Sequence, residues 1–137
     1  MTEKTLLMIP GPTNVPKRIM DALIRPITNH RGQEFRELYQ DILEKLKYAF
    51  QTENDVFPLT CSGTGGVEAA VGNLISKGDK VIIPVNGLFS MRMREEIIRF
   101  GGTPLEITSA WGSACTAEDV KALLDTERDV KAIALVY

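Results

Sequence analysis

Apolar and polar positions change rhythm partway along this chain. Between Gln33 and Gln51 the apolar residues Phe35, Leu38, Tyr39, Ile42, Leu43, Leu46, Ala49 and Phe50 recur at i, i+3, i+4, i+7 spacing. That is one stripe of a long helix, and it predicts that the aromatic residues on it are core. A shorter helix over 17–24 is expected after Pro16, with Ile19, Met20, Leu23 and Ile24 inward and Pro26 as its stop. Residues 1–16, punctuated by Pro10, Gly11, Pro12 and Pro16, read as an irregular arm, and 17–137 as the first part of a domain that is incomplete at its C-terminal end. From Val56 onward short apolar runs alternate with helical patterns. Strands are predicted at 56–61, 80–85, 103–108 and 131–137, and helices at 65–76, 89–100 and 117–125. Lys77-Gly78 and Gly101-Gly102 mark helix ends, and Thr116 with Asp119 forms a capping pair. Repeated β-α-β units with apolar strands predict an α/β fold, a parallel sheet with helices on both faces.

Composition narrows the partners. The 137 residues carry a net charge of −2, which argues against nucleic acid or an anionic membrane as the main partner. With 44% hydrophobic and 25% charged residues the chain suits a soluble globular protein with a real core. Cys61 and Cys115 lack ligand spacing and read as reduced thiols in a cytoplasmic protein, Cys61 as a small core residue. His30 is the single histidine, so a His-rich metal site within the chain is excluded. The apolar stretch Leu6 to Ile9 is too short for a signal peptide or a membrane span.

The chemistry concentrates at Ser62-Gly63-Thr64-Gly65-Gly66, a glycine-rich turn between a predicted strand and a helix. Such a turn aims backbone N–H groups at one point, and the helix dipole adds positive potential there. No Gly-Lys-Ser/Thr ending follows, as a nucleoside triphosphate loop requires, and Glu68 stands where a dinucleotide fingerprint has its last glycine. A single phosphate, held without lysine or Mg²⁺, fits better; a turn that merely packs helix on sheet is the alternative. Phe89 follows the strand 80–85 at the same sheet edge, where it can lie flat over a heteroaromatic ring or simply anchor its helix in the core.

These residues resemble the class V, fold-type I aminotransferases dependent on pyridoxal phosphate, and among them the alanine–glyoxylate and serine–pyruvate enzymes. The resemblance rests on Pro10-Gly11-Pro12-Thr13-Asn14-Val15-Pro16, Asn29-His30-Arg31, Ser62-Gly63-Thr64 with Glu68-Ala69-Ala70, and Asn86-Gly87-Leu88-Phe89, in unbroken order. It implies the N-terminal portion of a fold-type I large domain. Ser62, Gly63 and Thr64 would then bind the cofactor phosphate, and Phe89 would stack on the pyridine ring. Gly11 and Asn14 would lie at the substrate end, unless they only stiffen a proline-rich crossing. Related enzymes often have Trp in place of Phe89 and His in place of Thr64. The substrates implied are a small amino acid, alanine or serine, and a 2-oxo acid such as glyoxylate or pyruvate, in a homodimer.

One departure is large. None of the lysines at 4, 17, 45, 47, 77, 80, 121 and 131 follows a strand, as a Schiff-base lysine should, and Asp79 is at the wrong sheet edge to face the pyridine nitrogen. No catalytic residue is therefore assigned, and the chain alone, read as an N-terminal fragment, is expected to be inactive. The family's strand order predicts 80–85 between 103–108 and 131–137, with 56–61 beside 131–137 or apart, and self-association through the 131–137 edge. The rival readings are a cysteine desulfurase-like reaction on the same scaffold and a complete flavodoxin-like nucleotide-binding module.

Overall fold

A computed structural model describes residues 5–137. The chain forms two units, one up to Pro58 and one from Leu59 onward. In the first, α1 (Lys17–Leu23) starts after Pro16, whose carbonyl accepts from the Ile19 and Met20 N–H groups. A tight turn at Asn29, whose side chain accepts from the Arg31 N–H, leads into α2 (Gln33–Phe50). Gln51 ends α2 in the left-handed region at φ 50°. Neither helix has a buried residue, which corrects the expected core role of both stripes; Phe50 is 69% exposed. Among the described residues the unit has no strand for these stripes to close on, and Phe35 and Tyr39 stack on each other instead, ring centres 6.0 Å apart.

The second unit carries the sheet. Its elements are α3 (Gly63–Leu74), β1 (Lys80–Val85), α4 (Leu88–Arg99), β2 (Thr103–Thr108), α5 (Ala117–Thr126) and β3 (Val130–Ile133). The strand order is β2-β1-β3, all parallel, as expected. α4 packs against β1 and β2, and α5 against β2; with the right-handed crossovers usual for parallel strands, this order sets the two helices on opposite faces. Val81 and Ile83 of β1 meet Val71 and Ile75 of the α3 end and Ile97 of α4, which together form the core cluster. Ile82 points to the other face and is likewise fully buried. Small residues permit the close approaches: a Cβ at Gly72 would stand 2.9 Å from the Phe100 ring, and one at Gly102 only 2.7 Å from Ile75 Cγ2.

The expected strand at 56–61 is absent. Residues 56–61 are irregular and mostly exposed, bending at Thr60–Cys61, with no strand beside them among the described residues, and Pro58 has no N–H to donate to one. The helix expected from residue 65 begins at Gly63, so the glycine turn is itself its first turn. Strand β3 is shorter than the predicted 131–137, and Pro84 explains why. In the parallel register Ile82↔Ile133 the Ala134 N–H donates to the Ile82 carbonyl at 2.8 Å. The next rung would need an N–H from residue 84 to the Ala134 carbonyl, and a proline has none. The ladder therefore stops there.

Candidate functional site

The turn after the irregular segment 56–61 is built by Ser62. It caps α3 in an extended conformation, its Oγ accepting from the Gly65 N–H at 3.5 Å, while its carbonyl accepts from the Gly66 N–H at 3.2 Å. The Gly63 and Thr64 N–H groups have no acceptor among the described residues. Orphan donors of this kind at a helix start attract an anion.

At the C-terminal edge of the sheet β1 ends at Val85 and the chain turns through Asn86-Gly87 into α4. Ser90, 1% exposed, organises that turn. Its Oγ accepts from the Asn86 N–H at 3.0 Å and the Gly87 N–H at 3.1 Å, with the Gly87 carbonyl and Asn86 Oδ1 in reach of its proton. Phe89 sits in the first turn of α4, half exposed, and the Arg92 guanidinium lies over its ring, Cζ 5.7 Å from the centroid.

Gly63 and Thr64 from α3, Phe89, Arg92 and Glu96 from α4, and Leu135 and Val136 beyond β3 line one cleft of about 390 Å³. That is the size range of small-ligand sites. A Cβ built on Gly63 meets nothing within 4 Å, so the backbone there is open to close approach. A neighbouring groove of about 430 Å³ is almost wholly apolar, running between α3 and β3 past Val71 and Ile97. A larger, shallow depression of about 790 Å³ at the C-terminal end of α2 is lined by Glu44, Lys47 and Gln51.

Of the residues singled out by sequence, Gly63, Thr64 and Phe89 thus share the cleft. Ser62 is not among its walls; its hydroxyl faces the Gly65 N–H. Gly11 and Asn14 belong to the unit up to Pro58. Asn14 ties its own segment together, its Oδ1 accepting from the Leu7 N–H at 2.8 Å and its Nδ2 donating to the Thr5 carbonyl at 2.9 Å. Lys80 pairs with Glu127 at 2.9 Å, and no lysine lines the cleft. Three contributors escaped the sequence reading. Ser90 and Glu96 look like the polar face of α4, yet both are buried, Glu96 with only Arg99 Nη1 at 3.1 Å as a charged partner. Arg92 was legible only as the i+3 neighbour of Phe89. Among the described residues no group of three or more potential metal ligands occurs, and no helix is long and apolar enough to cross a membrane.

No family model matches the chain. It is 40% identical over 134 residues, 98% of its length, to an uncharacterized aminotransferase of Methanocaldococcus jannaschii, of which it spans 35%. It is 37% identical over 99% of its length to a protein of Synechococcus named as the small subunit of a soluble hydrogenase, again covering 35% of it. With the serine–glyoxylate aminotransferase of Methylorubrum extorquens the identity is 33% over 96% of this chain and 33% of that one. Among solved structures, an aspartate aminotransferase of subgroup IV from Thermus thermophilus superposes with a TM-score of 0.81 at 33% identity, covering 90% of this chain and 34% of that one. An alanine–glyoxylate aminotransferase from Nostoc gives 0.78 at 28% identity, over 93% and 36%. The chain spans about a third of the length of the relatives it matches. Its fold is that of the fold-type I aminotransferases, and its homologues include the alanine– and serine–glyoxylate aminotransferases.

Proposed function

We propose that this chain supplies the phosphate-holding and ring-holding half of a pyridoxal phosphate-dependent aminotransferase. The intact protein would move an amino group from a small amino acid, alanine or serine, to a 2-oxo acid such as glyoxylate or pyruvate. The observation that carries the reading is the convergence of Gly63, Thr64 and Phe89 on one cleft, with two unpartnered N–H groups at the start of α3. The donor set suits the cofactor: neutral N–H groups and a hydroxyl for a phosphate, an aromatic face for a pyridine. The Gly63 and Thr64 N–H groups and Thr64 Oγ would hold the phosphate, helped by the helix dipole. Ser62 would act mainly by fixing the cap that aims those N–H groups, with its hydroxyl as a further donor. Phe89 would support the ring from one side, its position set by the Ser90 knot. The bound cofactor supplies the electron sink that lets an amino group change carbon skeletons.

The cleft walls carry no lysine, so the residues described here bind and orient the cofactor and leave the covalent step to others. Gly11 and Asn14 are assigned to the substrate end by their likeness to the family signature. A cytoplasmic homodimer completes the reading. Calorimetric titration of the chain with pyridoxal 5′-phosphate and with FMN tests it. Pyridoxal phosphate should bind, inorganic phosphate should compete, and FMN should bind more weakly. A preference for FMN, or binding indifferent to phosphate, refutes the proposal.

A further inference from the structure

Arg92 has a position that the proposed cofactor site does not by itself require. It follows Phe89 by one helical turn, and its guanidinium covers one face of that ring at 5.7 Å. This is within the distance at which a cation is attracted to an aromatic face. Its neighbours on α4 are engaged with carboxylates, Arg94 with Glu95 and Glu106 and Arg99 with Glu96. Among the described residues no carboxylate lies within ion-pair distance of Arg92, so the aromatic contact is its one recorded engagement. Phe89 is half exposed and stands outside the buried cluster, so core packing does not fix its rotamer. Both residues line the cleft with Thr64.

We infer that Arg92 is a positioning residue for Phe89: it occupies one face of the ring and holds it so that only the other face is offered to a flat ligand. The inference rests on the cofactor reading above. A guanidinium over one ring face restrains the ring without adding a hydrogen bond to the ligand itself. The competing role, a direct charge partner for the ligand phosphate, predicts a different pattern of losses.

The test uses the full chain and two probes, pyridoxine 5′-phosphate, which has no aldehyde to react, and inorganic phosphate. Affinities are measured for the unsubstituted chain, Arg92→Met, Arg92→Lys, Phe89→Leu and the double variant Phe89→Leu/Arg92→Met, each checked for folding by circular dichroism. Arg92→Met should weaken pyridoxine phosphate about two- to fivefold, the range of an exposed cation–π contact, and leave inorganic phosphate unchanged. Arg92→Lys should restore part of the loss, and Arg92→Met should have no effect once Phe89 is leucine. Equal losses for both probes, or a loss that persists in the Phe89→Leu background, overturn the inference in favour of direct charge pairing. Unchanged affinity in Arg92→Met overturns it while the cofactor reading stands. Failure of the unsubstituted chain to bind either probe overturns both.

Discussion

Gly102 is the tightest point in the seat of α4, and replacing it tests how the core is built. Its backbone is not in the left-handed region, so alanine is allowed conformationally and the cost is steric alone. A Cβ there would stand 2.7 Å from Ile75 Cγ2, 2.9 Å from Ile97 Cγ2 and 3.2 Å from the Ile97 carbonyl. The first two are branch methyls held close to the backbone of buried residues, 7% and 0% exposed, and cannot swing aside. Overpacking of this kind costs about 1–3 kcal/mol. Ile75→Leu removes the nearest of the three atoms while conserving volume, and on its own should cost less than about 1.5 kcal/mol. Combined with Gly102→Ala it should recover part of the first loss, a coupling of roughly 0.5–1 kcal/mol for residues in contact. Urea titrations of the four variants, followed by far-ultraviolet circular dichroism, measure the cycle. Trp111 is 74% exposed and makes a poor fluorescence reporter. Strict additivity, within about 0.3–0.5 kcal/mol, would refute the clash as the cause.

Four further outcomes are expected. Thr64→Ala should weaken binding of a phosphate-bearing ligand by about 1.5–3 kcal/mol, one hydrogen bond to a charged group, with little change in melting temperature; equal affinity in calorimetry would remove Thr64 from the site. Thr116→Ala should destabilise the unit from Leu59 onward by roughly 1 kcal/mol through loss of the α5 cap, measured by urea denaturation. The Thr116 N–H and then its hydroxyl, both on Asp119 Oδ2 at 2.8 Å, hold the Asp119 carboxyl below its ordinary range. Its contribution is therefore present above the unfolded carboxylate value and is lost as pH falls through the lowered folded one, a slope that Asp119→Asn should flatten in acid titrations. Borohydride treatment of the chain with pyridoxal phosphate should trap no adduct on a single lysine; peptide mapping that finds one would show a reactive amine where the cleft has none.

The parallel sheet was legible because β1, β2 and β3 are short apolar runs separated by helical periods, each repeating the same β-α-β step, while their order came from the family resemblance and not from the pattern. That Thr64 and Phe89 would meet was legible too, since both lie in the first turns of helices that start at one edge of the sheet. Other features depended on partners that a single run of residues does not reveal. Val56 to Cys61 has a strand's composition, but a strand exists only when another backbone answers its N–H and C=O groups. The α2 stripe has a core helix's spacing, yet spacing states only that one face is apolar and not that anything covers it. Ser90 and Glu96 are buried by α4 settling against its neighbours, and polar residues on a helix carry no mark of that.

Pro84 gives the sheet an uneven resistance to opening. Below it, β1 and β3 stay in register from Val81↔Ala132 up to the Ala134 N–H, with one irregularity between Lys80 and Val81. Above it, Leu135 and Val136 form a wall of the cleft without a strand's backbone bonds to β1. Local fluctuations that let amide protons exchange with solvent should therefore begin at this margin and weaken toward Val81 and Ile82. A wall that loosens without unzipping the strands beneath it would let the mouth of the cleft open while the core stays shut.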